Sequence, residues 1–121
     1  MRRVSRLLFA ASLIACLNVS AHAAGALAVG SCGAYGEAHD FPNVAAARAA
    51  ALRQCRGEQC QVVATLRGNC AAFSVDMANA CGASGYASGP HLGKAQNAAL
   101  KSCYGKGGKD CVIRVFVCDG R

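Results

Sequence analysis

Short alternating stretches and helical stripes of apolar residues follow one another along the chain, and they predict its strands and helices. Residues 26–29 form a predicted strand with Leu27 and Val29 on one face, because successive strand side chains point to opposite faces. Residues 34–40 are expected to return as a second strand. Pro42 then ends the extended structure, so a helix is expected to follow.

The region after Pro42 has the residue spacing of an amphipathic helix. Its apolar stripe consists of Val44, Ala47, Ala51 and Cys55. Asn43 is the predicted N-cap, and Gly57 is the predicted residue after the helix C-terminus. A further strand is predicted over 61–67, followed by a tight turn at 68–69.

The same order of elements then starts again. A strand is predicted over 70–76, with Phe73 and Val75 on one face. A weak strand over 83–88 precedes a second helix. The apolar stripe of that helix consists of Leu92, Ala95, Ala99 and Cys103. Residues 112–117 are almost continuously apolar, as in a strand that is buried on both faces.

Two stretches, 32–60 and 81–111, share a sequence pattern that accounts for the repeated order of strands and helix. Each begins with Cys-Gly-Ala, has a glycine four residues after its first cysteine, and contains Ala-Ala-Leu-x-x-Cys in its helix. The sequence therefore predicts two ββαβ pseudo-repeats, 25–69 and 70–118, related by a pseudo-twofold axis. The expected fold class is α+β, with one mixed sheet, two helices packed on one face, and disulfide cross-links. A ferredoxin-like arrangement is the alternative if the two weak strands are loops.

The N-terminus has the three regions of a secretory signal peptide. Its basic residues are Arg2, Arg3 and Arg6. An apolar run covers 7–19, which is too short to span a bilayer comfortably as a helix. Residues 21–23 read Ala-His-Ala, the small-x-small pattern of a cleavage site. These features predict a signal peptide over 1–23.

Cleavage is expected between Ala23 and Ala24, which leaves a single mature domain over 24–121. The mature protein is then periplasmic or secreted. Residues 13–16 also resemble a bacterial lipobox, so a lipoprotein anchored through Cys16 is the alternative.

The chain is basic, with a formal net charge of +7 from 13 Lys and Arg against 6 Asp and Glu. Three of the basic residues lie in the predicted signal peptide, and the others form no dense run. Because nucleic-acid binding usually needs a clustered basic face, we expect no nucleic-acid partner. We also expect a monomer with no transmembrane segment in the mature chain.

The chain contains nine cysteines. Cys16 is either removed with the signal peptide or lipidated, so it is not expected to form a disulfide. The even number that remains in a small exported domain indicates four disulfides. The predicted pairs are Cys55–Cys60 and Cys103–Cys111 within the units, Cys32–Cys81 between equivalent positions, and Cys70–Cys118 by elimination. The cysteine spacing does not match the usual zinc sites, so we expect no metal.

Several short motifs carry a family resemblance. They are Gly-Ala-Leu-Ala-Val at 25–29, Gly-Ala-Tyr-Gly at 33–36, Gly-Asn-Cys-Ala-Ala at 68–72, Val-Phe-Val-Cys at 115–118, and Ala-Ala-Leu-x-x-Cys in both helices. Over essentially the whole mature chain, the sequence resembles domain of unknown function 4189 (DUF4189), a family of small secreted bacterial proteins. The resemblance implies an exported domain and transfers no catalytic residues. The family tends to alternate Tyr or Trp with small residues in the second strand of each unit, and this chain has fewer aromatic residues there.

Residues that often take part in catalysis are present, but their spacing matches no known catalytic pattern. The even cysteine count leaves no free thiol as a nucleophile. His39 and Asp40 are adjacent on a predicted strand, so they point to opposite faces and do not form a base with its orienting partner. The loop 105–109 lacks the frame of a phosphate-binding loop. We therefore assign no catalytic residue and no cofactor, and enzymatic activity is the weaker hypothesis.

Four residues of the second strands and the helix starts form the candidate binding surface. They are Tyr35, His39, Tyr86 and His91. The expected symmetry would bring them together, although a tyrosine on a strand is more often simply half-buried. The main hypothesis is a non-catalytic binding module whose partner is a protein or an envelope component. The alternatives are a secreted effector, small hydrolase or toxin, and a periplasmic inhibitor or immunity protein.

Overall fold

The computed structural model describes residues 23–120, so the region 1–22 of the predicted signal peptide, with Cys16, lies outside the described residues. Six strands and two helices occupy this part of the chain. They are β1 (Ala24–Val29), β2 (Tyr35–Phe41), α1 (Val44–Gln54), β3 (Gln61–Leu66), β4 (Cys70–Asp76), β5 (Ser84–Gly89), α2 (Leu92–Gly105) and β6 (Cys111–Cys118). The two weak strands are formed, as β2 and β5, so the condition for a ferredoxin-like arrangement is not met.

The strands form two three-stranded sheets rather than one, so the prediction of a single mixed sheet is wrong. The first sheet has the order β2-β1-β3 and the second sheet has the order β5-β4-β6. All four strand pairings are antiparallel. Each sheet is therefore built from strands that are neighbours in sequence.

The two sheets pack against each other around a set of larger apolar side chains, which we call the inter-sheet core. Its buried members are Leu27, Val29, Leu66, Ala71, Phe73, Val75 and Val117. These residues come from both sheets, and packing the sheets together removes them from water. A single sheet with helices on one face would leave these residues exposed on the other, which is the physical reason why two sheets form.

Each helix covers the outer face of a different sheet, so the prediction that both helices pack on one face is also wrong. In β1, Ala26 and Ala28 face α1, while Leu27 faces the inter-sheet core. In β4, Ala72 faces α2, while Phe73 faces the inter-sheet core. The layers are thus helix, sheet, sheet and helix. Within residues 23–120, neither helix is long and apolar enough to cross a membrane.

The glycines four residues after Cys32 and after Cys81 lie where a helix contacts the second strand of its sheet. A Cβ at Gly36 would overlap the carbonyl of Ala51, and a Cβ at Gly85 would overlap the carbonyl of Ala99. The buried hydroxyl of Ser74 also donates to the Ala99 carbonyl, at 2.7 Å. These two glycines let α1 and α2 approach their strands closely, which explains why the pattern recurs.

Four disulfides cross-link the domain. They are Cys32–Cys81, Cys55–Cys60, Cys70–Cys118 and Cys103–Cys111, the pairs predicted from the sequence. The sequence separations of Cys32–Cys81 and Cys70–Cys118 are 49 and 48, against 5 and 8 for the local pairs. In the chain-entropy model, a disulfide stabilises the fold by lowering the entropy of the unfolded chain. The two disulfides that close long loops contribute most, about 4 kcal/mol each. Cys32–Cys81 also joins the two halves of the chain.

Candidate binding groove

A groove with a volume of about 320 Å³ lies between β2 and β6. Its lining residues are Tyr35, Glu37, His39, Val115, Phe116, Val117 and Cys118. β2 is an edge strand of the first sheet, and β6 is an edge strand of the second sheet. The groove is therefore bounded by two edge strands from different sheets.

The two strands contribute to the groove in different ways. β2 contributes the alternate residues Tyr35, Glu37 and His39. Gly36 and Ala38 point the other way, towards α1. β6 contributes the four consecutive residues 115–118. Because a strand shows every second residue on one face and successive residues along its edge, the groove is bounded by the face of β2 and the edge of β6.

Arg114 lies at one end of the groove. The pairing of β4 with β6 shifts register between Phe73 and Ser74, so Arg114 is an extra residue with no partner on β4. Its Nε donates to the carbonyl of Gly33 at 3.2 Å, and its guanidinium carbon is 5.6 Å from the centre of the Tyr35 ring. These contacts join β6 to the first sheet and hold Tyr35 in place.

The opposite end of the groove is acidic. The Nδ1 of His39 lies 3.2 Å from the Oε2 of Glu37, a distance at which a protonated ring nitrogen donates to a carboxylate. This hydrogen bond is the main reason why the pKa of His39 is raised, and the negative charge of Glu37 is the second reason. The charges of Asp40 and Asp119 act in the same direction, while slight burial opposes them. The charged form of His39 is therefore favoured here.

A buried carboxylate lies beside this acidic end. Asp119, the residue after β6, is only 3% exposed. Its Oδ2 accepts a hydrogen bond from the backbone N–H of Asp40 at 2.9 Å, which links the ends of β2 and β6. Its Oδ1 is buried and has no hydrogen-bond partner within residues 23–120. Asp119 does not line the groove, so it acts on this end through its negative charge, which also helps to raise the pKa of His39.

The structure brings two residues of the candidate binding surface, Tyr35 and His39, to the groove. Tyr86 lies on β5, at the other edge of the second sheet, where the Nζ of Lys106 is 5.9 Å from its ring centre. His91 is the N-cap of α2. Neither Tyr86 nor His91 lines the groove, so the four residues do not form one surface there.

Two acidic residues of this region are not identified by the sequence analysis. Glu37 lies between Tyr35 and His39 on the same face of β2, so the alternation of strand side chains is a signal that could have found it. Asp119 reaches Asp40 across 79 positions of the chain, and no local pattern signals that contact.

Asp76 belongs to a separate hydrogen-bond network with a structural role. Its carboxylate accepts from the backbone N–H groups of Ala78 at 2.9 Å, Lys109 at 3.2 Å and Asp110 at 3.2 Å. These hydrogen bonds, that of Ala78 foremost, lower the pKa of Asp76. Asp76 thus fixes the loop that leads into β6.

The groove combines aromatic and apolar walls with one imidazole and one carboxylate. Its lining, as the described residues form it, contains no serine or threonine, and the sulfur of Cys118 is held in a disulfide. No three His, Cys, Asp or Glu side chains of residues 23–120 come together in a way that could hold a metal ion. The groups that line the groove are suited to recognising a ligand that has both apolar and charged parts.

Comparison with known proteins adds one finding. The model of a family described as Domain of unknown function (DUF4189) matches residues 24–118. The matched residues contain all six strands and both helices, and with them both walls of the groove. No curated protein and no solved structure matches the chain.

Proposed function

The chain belongs to the DUF4189 family, and we propose that it is an exported, non-catalytic binding module whose contact site is the groove between β2 and β6. Its partner in this proposal is a protein or a component of the cell envelope. The observation that carries the proposal is the groove itself, since Tyr35, Glu37 and His39 line one wall and residues 115–118 line the other. A concave site with apolar walls and a few charged groups is typical of ligand recognition.

The ends of the groove are held by contacts between the two sheets. At one end Arg114 donates to the Gly33 carbonyl, and at the other Asp119 accepts from the Asp40 N–H. The disulfide Cys70–Cys118 ties the last residue of β6 to β4. A groove fixed in this way loses little conformational entropy when a ligand binds, which supports a role in binding.

The same lining argues against catalysis by a serine, threonine or cysteine nucleophile. His39 and Glu37 form a pair that could accept a proton. The lining, as residues 23–120 form it, contains no serine or threonine hydroxyl and no free thiol, so it lacks the nucleophile of a Ser–His or Cys–His mechanism. The pair is therefore assigned to ligand recognition.

We further propose that export removes residues 1–23 and leaves one domain over 24–121. The four disulfides support an oxidising compartment, the periplasm or the exterior of the cell. Ala24 is the first residue of β1 and is buried, so cleavage after Ala23 leaves the whole of β1 in the mature domain. Mass spectrometry of the exported protein should find Ala24 at its N-terminus; a diacylated Cys16 would instead make it a lipoprotein.

The two halves, 25–69 and 70–118, are proposed to descend from one duplicated ββαβ unit. In the strand orders β2-β1-β3 and β5-β4-β6, corresponding strands occupy corresponding places. Gly36 and Gly85 also have the same role at their helices. An experimental structure whose halves do not superpose would contradict this proposal.

The binding site is tested by comparing two tyrosines of similar exposure. Tyr35 is 37% exposed and lines the groove, whereas Tyr86 is 43% exposed and lies on β5. The oxidised protein is used to capture partners from envelope and secreted fractions by cross-linking. Tyr35→Ala should abolish the capture that the unaltered protein gives, and Tyr86→Ala should leave it unchanged. Equal loss with both variants, or loss with Tyr86→Ala alone, would exclude the groove as the site.

A further inference from the structure

We infer that the groove binds an extended polypeptide segment, which pairs with the edge of β6 and places a lysine or arginine side chain at the acidic end of the groove. This inference rests on the proposed function, because it names the class of partner that the same groove takes. It draws on the backbone of β6, the face of β2 and the charges around His39.

The edge of β6 supplies the backbone groups. One side of β6 pairs with β4, and no strand among the described residues pairs with its other side. Within residues 23–120, no backbone hydrogen bond joins β6 to β2. An edge strand of this kind leaves N–H and C=O groups that an added strand can pair with.

The face of β2 supplies the side-chain contacts. The backbone of β2 is less available, since the N–H of Glu37 already donates to the side chain of Gln54 at 3.4 Å. Its side chains instead project over the groove from Tyr35 to His39. A strand paired with residues 115–118 would therefore turn every second side chain towards this face. At about 3.3 Å per residue, the contact accommodates roughly four residues of the segment.

Charge determines which segment fits. Within the described part of the chain, the only ion pair involving the Glu37 carboxylate is that with His39, on the same strand. The buried Oδ1 of Asp119 has no hydrogen-bond partner there. Asp40 adds a third carboxylate near His39. The cation Arg114 lies at the far end of the groove, where it contacts the Gly33 carbonyl and the Tyr35 ring. A cationic side chain is attracted to the acidic end, and an acidic side chain is repelled.

The walls between the two ends are apolar. Val115 and Phe116 line the groove together with Tyr35, and Phe116 is 52% exposed. An exposed aromatic side chain next to an unpaired strand edge offers an apolar contact for a partner residue. The segment that fits best therefore carries an apolar residue two positions from its lysine or arginine, so that both side chains face the groove.

His39 makes this binding depend on pH. The charged groups that face it are Glu37 and Asp40 on β2 and Asp119 after β6. When His39 is protonated, its charge partly neutralises the carboxylates and competes with the incoming cation. The affinity for a cationic segment should therefore fall as the pH is lowered through the pKa of His39.

The test uses fluorescein-labelled octapeptides and the purified, oxidised protein, with binding followed by fluorescence anisotropy. One peptide has lysine and valine in turn at every second position with serine between them, a second has glutamate in place of lysine, and a third is the lysine peptide with alternate backbone nitrogens methylated. The lysine peptide should bind about tenfold more tightly than the glutamate peptide, as one charged hydrogen bond predicts. N-methylation should abolish the binding, because it removes the donors for strand pairing.

Glu37→Gln should reduce the preference for lysine to less than about threefold, since it removes the charge of the carboxylate nearest His39. Glu58→Gln is the matched control, because Glu58 is exposed in the loop before β3 and should leave the preference unchanged. Equal binding of the lysine and glutamate peptides would overturn the charge part of the inference. Unchanged binding of the methylated peptide would overturn strand pairing.

Two further outcomes separate this inference from the proposed function. If none of the peptides binds while Tyr35→Ala still abolishes partner capture, the groove is a binding site and the inferred partner is wrong. If sedimentation shows a dimer that Glu37→Gln dissociates, a second copy of the chain occupies the groove and the inference also fails. If the peptides bind but Tyr35→Ala leaves partner capture intact, the proposed contact site is wrong instead.

Discussion

Replacing Phe73 by alanine tests whether the two sheets share one core. Phe73 lies on β4 and is 2% exposed, and it belongs to the cluster that includes Leu27 and Val29 of the first sheet. Phe116 lies on the neighbouring strand β6 but is 52% exposed. The two phenylalanines therefore offer the same chemical change at a buried and at an exposed position of one sheet.

The expected magnitudes follow from this difference in burial. Truncating a fully buried phenylalanine to alanine costs roughly 3–5 kcal/mol, because a cavity remains where the ring packed. About half of the Phe116 ring already contacts water in the folded protein. Since complete burial of such a side chain stabilises by roughly 1.5–3 kcal/mol, Phe116→Ala should cost about 1 kcal/mol. Because a domain of this kind usually has a free energy of unfolding of roughly 5–15 kcal/mol, losses of this size can be measured by unfolding.

Urea unfolding of the oxidised variants measures these costs. With an m-value of roughly 1 kcal/mol per molar urea, Phe73→Ala should lower the midpoint by about 3–5 M and Phe116→Ala by about 1 M. Non-reducing peptide mapping must show that all four disulfides persist in each variant. If Phe73→Ala costs no more than Phe116→Ala, the two sheets do not pack around Phe73 and the layered arrangement is refuted.

Three further changes test local features. Gly85→Ala should destabilise the fold by roughly 1–3 kcal/mol because its Cβ meets backbone of α2, whereas Gly93→Ala should stabilise it by about 0.5 kcal/mol because no described atom lies within 4 Å of the added Cβ. Urea unfolding compares the two variants, and equal effects would contradict the close approach of α2 to β5. Asn43→Ala should cost about 1 kcal/mol in the same assay by removing the N-cap of α1, and an unchanged midpoint would exclude the cap. NMR titration should find the pKa of His39 raised in the unaltered protein and lower in Glu37→Gln. Because the pKa is higher in the folded state, the His39–Glu37 pair stabilises the fold at pH values below the unfolded-state pKa, and this stabilisation is lost as the pH rises through the folded-state pKa. An identical His39 titration in both proteins would show that the pair does not form.

The strands and helices could be predicted from the sequence because their signals are local. Leu27 and Val29 alternate with alanines in β1, and Asn43 begins α1 as its N-cap. The disulfide pairs could be predicted because the stretches 32–60 and 81–111 place their cysteines in similar positions, which leaves Cys70 and Cys118 as the last pair. These features depend on residues close together in sequence or at corresponding places in the two halves.

The number of sheets was predicted wrongly, although the residues contain the necessary signal. In β1 the small residues Ala26 and Ala28 lie on one face and the larger Leu27 on the other. A helix packs closely on the face with alanines, and the larger residues then need a second apolar layer. Two helices on one face of one sheet would have left that second face exposed to water.

The groove could be predicted only in part, since it depends on how the sheets are placed. Alternation puts Tyr35, Glu37 and His39 on one face of β2, and that much is local. The edge of β6 comes beside this face only when the sheets pack together. The contact between Asp119 and Asp40 likewise joins distant parts of the chain, so no sequence pattern reveals the acidic end.

Hydrogen–deuterium exchange of the oxidised protein, with and without the lysine–valine octapeptide, tests the binding account most directly. Strand pairing at the edge of β6 should slow exchange at residues 115–118 and leave β5, Ser84–Gly89, unchanged. Slower exchange confined to β5 or α2, or no change at 115–118 when the peptide is bound, would contradict the account.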